Sequence, residues 1–140
     1  MIQRIQTVYL VLGALALAAL SFFSTPWEST AAATQGWYTP TLIGLMVVTA
    51  GTAIGSIFLY SQRETQRSVV VGAQLLTVAF AAAFYGGLYL TGELAFGSNA
   101  IQWGKAIALL LPVVAYVFFW LARRGIDHDI ELVKSMDRLR

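Results

Sequence analysis

The chain has 140 residues, of which 58% are hydrophobic and 11% charged, with a formal net charge of +2 and no cysteine. An ordinary soluble protein carries about 25% charged residues; one water-facing core of this size could not hide so much apolar surface, so lipid is the expected solvent. The missing cysteines exclude disulfides, thiolate metal sites, dithiol redox chemistry and thiol lipidation.

The first apolar run, residues 7–23, is just long enough to cross the hydrocarbon core as a helix. With Arg4 ahead of it and Ala16-Leu17-Ala18 within it, the run also resembles a secretory signal peptide. It continues through Ala19, Leu20, Phe22 and Phe23, so an uncleaved span is expected. The second span, 41–60, opens after Pro40, whose missing amide hydrogen is harmless at a helix start. It stops at Ser61-Gln62-Arg63-Glu64. The third, 69–90, follows Arg67 and stops at Thr91-Gly92-Glu93. The fourth, 104–122, has a lead-in from Ile101 and ends at Arg123-Arg124-Gly125. Pro112 inside it is expected to kink or loosen one turn, which neighbouring helices tolerate. The expected fold is all-α: an integral membrane four-helix bundle over residues 1–122 and an amphipathic tail over 123–140.

Arg4, Arg63, Arg67, Arg123, Arg124, Lys134, Arg138 and Arg140 fall on one side of this plan, and Lys105 on the other beside Glu28 and Glu93. Basic residues mark the cytoplasmic side, so both termini are expected inside. Trp27, Trp37, Tyr38 and Trp103 suit the outer headgroup zone, and Tyr60 and Trp120 the inner one.

Helices in lipid gain little by burying apolar surface on one another, so small residues are expected to set their close approach. Gly51 and Gly55 form a GxxxG element in the second span, and Ala79, Ala83 and Gly87 recur at four-residue spacing in the third. Dimerisation is one reading of GxxxG; packing inside a single bundle is the commoner use and is expected here. Gln74 is expected to clamp a helix interface, whereas the hydroxyls of Thr49, Thr52, Ser56 and Thr77 can bond their own helix.

No ionisable residue lies in the middle of a span, which weighs against pumps, ion-coupled carriers and voltage sensors. His128, the single histidine, leaves no axial pair for a haem. Asp127-His128-Asp129-Ile130-Glu131 has the composition of a metal cluster, but consecutive helical residues point in different directions. An acidic first turn opposing the helix dipole is the expected meaning. With no nucleophile beside a base and no phosphate-cradling glycine loop, neither enzymatic activity nor a cofactor is expected. Nucleic acid is not an expected partner and no small-molecule substrate is identifiable; membrane lipids and a larger membrane complex are the expected partners.

In the tail, Ile126, Ile130 and Val133 share one stripe and Leu132, Met136 and Leu139 an adjoining one, opposite Asp127, Glu131, Lys134 and Arg138. Such a helix can lie on the membrane surface, dock on the inner loop near residues 63–67, or bind a partner. Arg123, Arg124, Ile130, Val133, Met136 and Arg138 are the candidate lipid or partner contacts. At the amino end, Gln3 and Gln6 share a face and are expected to bond the inner loop, which has Gln62 and Gln66.

Both ends carry a family resemblance. The start, Met1-Ile2-Gln3-Arg4-Ile5-Gln6-Thr7, is matched at the close by Ala122-Arg123-Arg124-Gly125-Ile126 and Leu132-Val133-Lys134-Ser135-Met136-Asp137-Arg138-Leu139-Arg140. Together they resemble a group of small bacterial inner-membrane proteins known as a domain of unknown function. The resemblance implies a four-helix membrane protein and supplies no activity, cofactor or site residue. Members often have a more polar inner loop than the short one at residues 61–67 here. The expected role is a non-catalytic accessory, assembly or scaffold subunit. The alternative is a small passive transporter or lipid-binding bundle with a cavity near Gln74, Thr77 and Pro112.

Overall fold

The computed structural model describes residues 2–95 and 102–139. Met1, Ile101 and Arg140, and the side chains of Gln3 and Arg4, lie outside the described residues. In chain order the elements are α1 (Ile2–Ala19) with a closing 3₁₀ turn (Leu20–Phe22), a short α2 (Thr30–Thr34), α3 (Tyr38–Ile57), α4 (Arg63–Leu90) and α5 (Trp103–Arg138). No strand occurs among the described residues. Four helices are long and apolar enough to cross a membrane, with mean hydropathies of 1.6 to 2.1 over their most apolar stretches.

The four long helices close into a ring in which α1 packs on α3 and α5, and α4 packs on α3 and α5. Burial follows one rule. On α1 and its closing turn the buried positions include Gln6, Leu10, Gly13, Leu17 and Leu20, with Ala14 and Ala16 flanking them. On α4 they include Gln66, Val70, Ala73, Thr77, Phe80, Phe84 and Gly87. On α5 they are Ala108, Pro112, Ala115, Phe119, Ala122, Ile126 and Asp129. Steps of four and three residues alternate along each helix, the seam of a left-handed bundle. The outward positions are equally apolar: Val8, Leu15, Val47, Leu75 and Val113 are all more than half exposed. A helix that is apolar all round suits a lipid solvent.

The close approaches are made at glycines outside the GxxxG element. A side chain at Gly13 would run into the ring of Phe119, and one at Gly87 into the ring of Tyr38. Each ring is fully buried on the facing helix. The expected packing role of Gly51 and Gly55 is corrected: both face outward, and nothing lies within 4 Å of where a side chain would begin. They stand two residues either side of buried Ala53, about 200° around the helix from it. Ala79 also faces outward, whereas Ala83 packs partly on the core and Gly87 is buried. A four-residue step overshoots one turn by about 40°, so that stripe winds from the outer face into the interior.

Two expected boundaries move, and one connection gains a short helix. Residues 63–67 are the first turn and a half of α4 rather than loop, leaving a tight turn in which Gln62 N–H donates to Leu59 O at 2.9 Å. In the first connection Ser29 caps α2, accepting from the Ala32 amide at 3.2 Å. Gly125 does not end the fourth span: α5 runs through it for 36 residues, about 54 Å against a hydrocarbon core of about 30 Å. Glycine disfavours a helix by only about 1 kcal/mol, and here it serves packing, because a side chain at Gly125 would meet Gln6 Cγ at 2.9 Å. A true stop is at Gly92, whose φ of 74° lets Glu93 N–H donate to Leu88 O at 2.9 Å.

Candidate functional site

Where α1 begins, α4 begins and α5 outruns the bundle, polar side chains converge on one end, here the basic end. Asp129 extends the buried seam of α5 by one step past Ile126 and is 8% exposed. Its carboxylate accepts from Gln6 Nε2 at 2.7 Å, and its backbone carbonyl from Arg63 Nη1 at 3.5 Å. A buried carboxylate needs such partners, and a hydrogen bond to a charged group contributes about 1.5–3 kcal/mol. Gly125, one turn earlier, is the bare backbone across which Gln6 reaches. The expectation that the amino-end glutamine bonds the inner loop is thus corrected: Gln6 bonds α5.

Around this buried pair lies an exposed ring of ions. Asp127 pairs with Arg67 and, at 3.7 Å, with Arg123 one turn before it; Lys134 pairs with Glu64 at 3.8 Å. Pairs this exposed are worth about 0–1 kcal/mol each, so their work is registration of α5 on α4 more than stability. The acidic run is therefore no first turn balancing a helix dipole; Asp127 and Asp129 sit mid-helix and answer α4 and α1. Among the described residues, no group of three or more His, Cys, Asp or Glu is placed to hold a metal.

The candidate contact residues separate into two sets. Ile130 packs against the core, and Arg123 donates from Nη1 to Gln74 Oε1 at 3.4 Å, so both belong to the junction. Arg124 is exposed with its guanidinium over the Trp120 ring, 5.5 Å from the centroid. Val133, Met136 and Arg138 lie in the stretch 131–139, every residue of which is exposed. Within it Leu132, Val133, Met136 and Leu139 show an apolar face, the last two at 67% and 89% exposure. Gln74 is buried as expected of a clamp, yet its Nε2 has no partner among the described residues.

The opposite end has its own polar set. Glu93 Oε1 accepts from the Thr30 hydroxyl at 2.5 Å and the Thr30 amide at 2.9 Å. These bonds, with Lys105 nearby, hold its carboxyl below the ordinary glutamate range. A cleft of about 250 Å³ beside it is lined by Ser24, Thr25, Glu28, Ser29 and Lys105.

Sequence reasoning missed Gln6, Gly125 and Asp129 as a set. The signal was present in the spacing: Gln6 continues the Leu10, Gly13, Leu17 seam and Asp129 the Phe119, Ala122, Ile126 seam. The family model of DUF4293, a domain of unknown function, matches residues 2–139. No curated protein and no solved structure matches the chain.

Proposed function

The chain belongs to the DUF4293 family, and from that premise we propose that it is a non-catalytic multi-pass membrane protein, an accessory, assembly or scaffold subunit that engages its partner through the end of α5. One observation carries this reading: past the last buried residues α5 continues as helix to Arg138, tied to α4 through the exposed Lys134–Glu64 pair, with Leu132, Val133, Met136 and the capping Leu139 uncovered. An amphipathic helix that its own fold leaves unpartnered is a ready ligand for an apolar groove. The junction at Asp127 and Asp129 anchors the root of the arm and fixes its bearing.

The proposed setting is a bacterial inner membrane with both ends of the chain cytoplasmic. The clustering of Arg63, Arg67, Arg123, Arg124, Lys134 and Arg138 at the basic end supports it. The cysteine-free sequence makes sidedness easy to read. Ser135→Cys should resist an impermeant maleimide in intact cells and react in inverted vesicles; labelling in intact cells would sink the assignment.

For the arm, the test is purification of the full chain and of a form lacking residues 131–140 from native membranes in mild detergent. A partner present with the first and lost with the second is expected, both remaining folded by circular dichroism. A monodisperse particle in native lipid with no partner would overturn the reading.

A further inference from the structure

At the seam between α4 and α5, Pro112 opens a groove of about 170 Å³ lined also by Thr77, Val78, Ala81, Val113 and Tyr116. Proline removes one helical hydrogen bond and its ring crowds the preceding turn; the small Ala81 side chain leaves the space unfilled. The walls of the groove run on toward the basic end. Along α5, Val113, Tyr116, Trp120 and Arg124 follow at three- and four-residue steps, all exposed. Along α4, Gln74, Val78 and Ala81 stand at four- and three-residue steps, with Gln74 buried, Val78 exposed and Ala81 half-buried.

Charge complements the groove at that end. Arg123 is held from two sides, with Nη1 donating to Gln74 Oε1 at 3.4 Å and Nε lying 3.7 Å from Asp127. A guanidinium has five N–H donors, so others remain for an anion. The carboxylate of Asp127 is shared between Arg67 and Arg123, while Arg124 makes no ion pair among the described residues. Pro112 and Arg123 are about 17 Å apart along the helix, close to the half-thickness of the hydrocarbon core, about 15 Å. A headgroup at the arginines therefore brings the end of its acyl chain to the groove.

We propose that this seam binds one anionic glycerophospholipid from the surrounding leaflet, its acyl chain in the Pro112 groove and its phosphate on Arg123 and Arg124. The site is independent of the docking role of the α5 arm. It is a selective site, distinct from the general lipid coat, because two features must coincide: an apolar bay in the helix seam, and a guanidinium pair one leaflet depth away.

The full chain, purified in mild detergent, is exchanged against phosphatidylglycerol and phosphatidylcholine with the same acyl chains, and retained lipid is counted by native mass spectrometry. One phosphatidylglycerol should be retained in preference. Replacing Arg123→Gln and Arg124→Gln should weaken that retention by about five-fold per arginine and leave phosphatidylcholine unchanged. Ala81→Phe, which fills the groove, should abolish the preference. Val113→Trp does so from the rim, at a position 51% exposed, where folding is spared if Ala81→Phe fails to fold. Equal retention of the two lipids by the wild type would overturn the proposal, as would wild-type retention by a folded groove-filling variant. Removing residues 131–140 should leave retention unchanged.

Discussion

Gln6 donates its side-chain amide to the carboxylate of Asp129 at 2.7 Å, joining the first and last long helices across 123 positions of sequence. The bond is buried, and it forms over Gly125, whose missing side chain is what admits Gln6. Replacing Gln6→Leu would keep the volume and orphan the carboxylate. The expected destabilisation is about 1.5–3 kcal/mol, larger than for breaking any exposed pair around it. Thermal unfolding in detergent of Gln6→Leu beside Lys134→Ala checks this; equal midpoints would refute the ranking.

Two classes of glycine should respond oppositely to alanine. Gly13→Ala and Gly87→Ala push into the rings of Phe119 and Tyr38, and overpacking of this kind costs about 1–3 kcal/mol. Gly51→Ala and Gly55→Ala meet nothing within 4 Å and gain up to about 1 kcal/mol of helix propensity. Urea or thermal midpoints of the four variants should therefore split into a lowered pair and an unchanged or raised pair. Gly55→Ile should likewise be tolerated.

Tyr85 donates its hydroxyl to the carbonyl of Leu109, three residues before Pro112. Since Pro112 lacks an amide hydrogen and crowds the preceding turn, this cross-helix bond supports a weakened stretch of backbone. Tyr85→Phe should cost about 1 kcal/mol with Pro112 present. With Pro112→Ala, the restored helical bond should shrink that cost, and a double-mutant cycle on unfolding free energies should show coupling of about 0.5 kcal/mol or more. An additive cycle would separate the two residues.

Glu93 ties α2 to the end of α4, and the Thr30 hydroxyl, then the Thr30 amide, lower its carboxyl from the ordinary value. A group whose folded-state value is depressed stabilises above its unfolded value, about 4.3, and that contribution is lost as pH falls through the folded-state value. Glu93 is solvent-facing, so the effect should be local, seen as faster amide exchange across residues 30–34 at pH 3 than at pH 6 once intrinsic rates are divided out. Thr30→Ala, which removes the hydroxyl but keeps the amide donor, should shrink the difference, and Glu93→Gln should abolish it; an unchanged profile would remove the tie.

Much of the architecture is legible in the residues themselves. The runs ending at Arg63, Thr91 and Arg123 are each bounded by polar or charged residues that lipid excludes, and four helices of spanning length and apolarity stand there. Pro40 sits in the first turn of α3, and Pro112 inside α5, as their chemistry requires. Helix ends were harder to read. Gly125 looked like a stop because glycine often is one, but its φ is not positive, and the helix continues because Ile126 and Asp129 find buried places beyond it.

The tail that this made separate is one helix with the span before it, so its acidic residues answer α4 and α1 instead of a helix terminus. That exchange of partners converted Asp129 from a solvated charge into the centre of the junction. Ile130 likewise moved from candidate contact to core, while Val133 and Met136 kept their exposure.

Sequence alone determined that this chain suits lipid and how many of its helices are long and apolar enough to cross it, because both follow from how much apolar surface each segment carries. Tertiary structure decided which face of each helix turns inward. In water that choice is written as polarity, but here Val8 and Leu10, or Gly51 and Ala53, are apolar alike and lipid accepts either. Only shape discriminates: Phe119 needs the bare backbone of Gly13, Tyr38 that of Gly87, and Gln6 that of Gly125, and those three fits set the seams of the bundle.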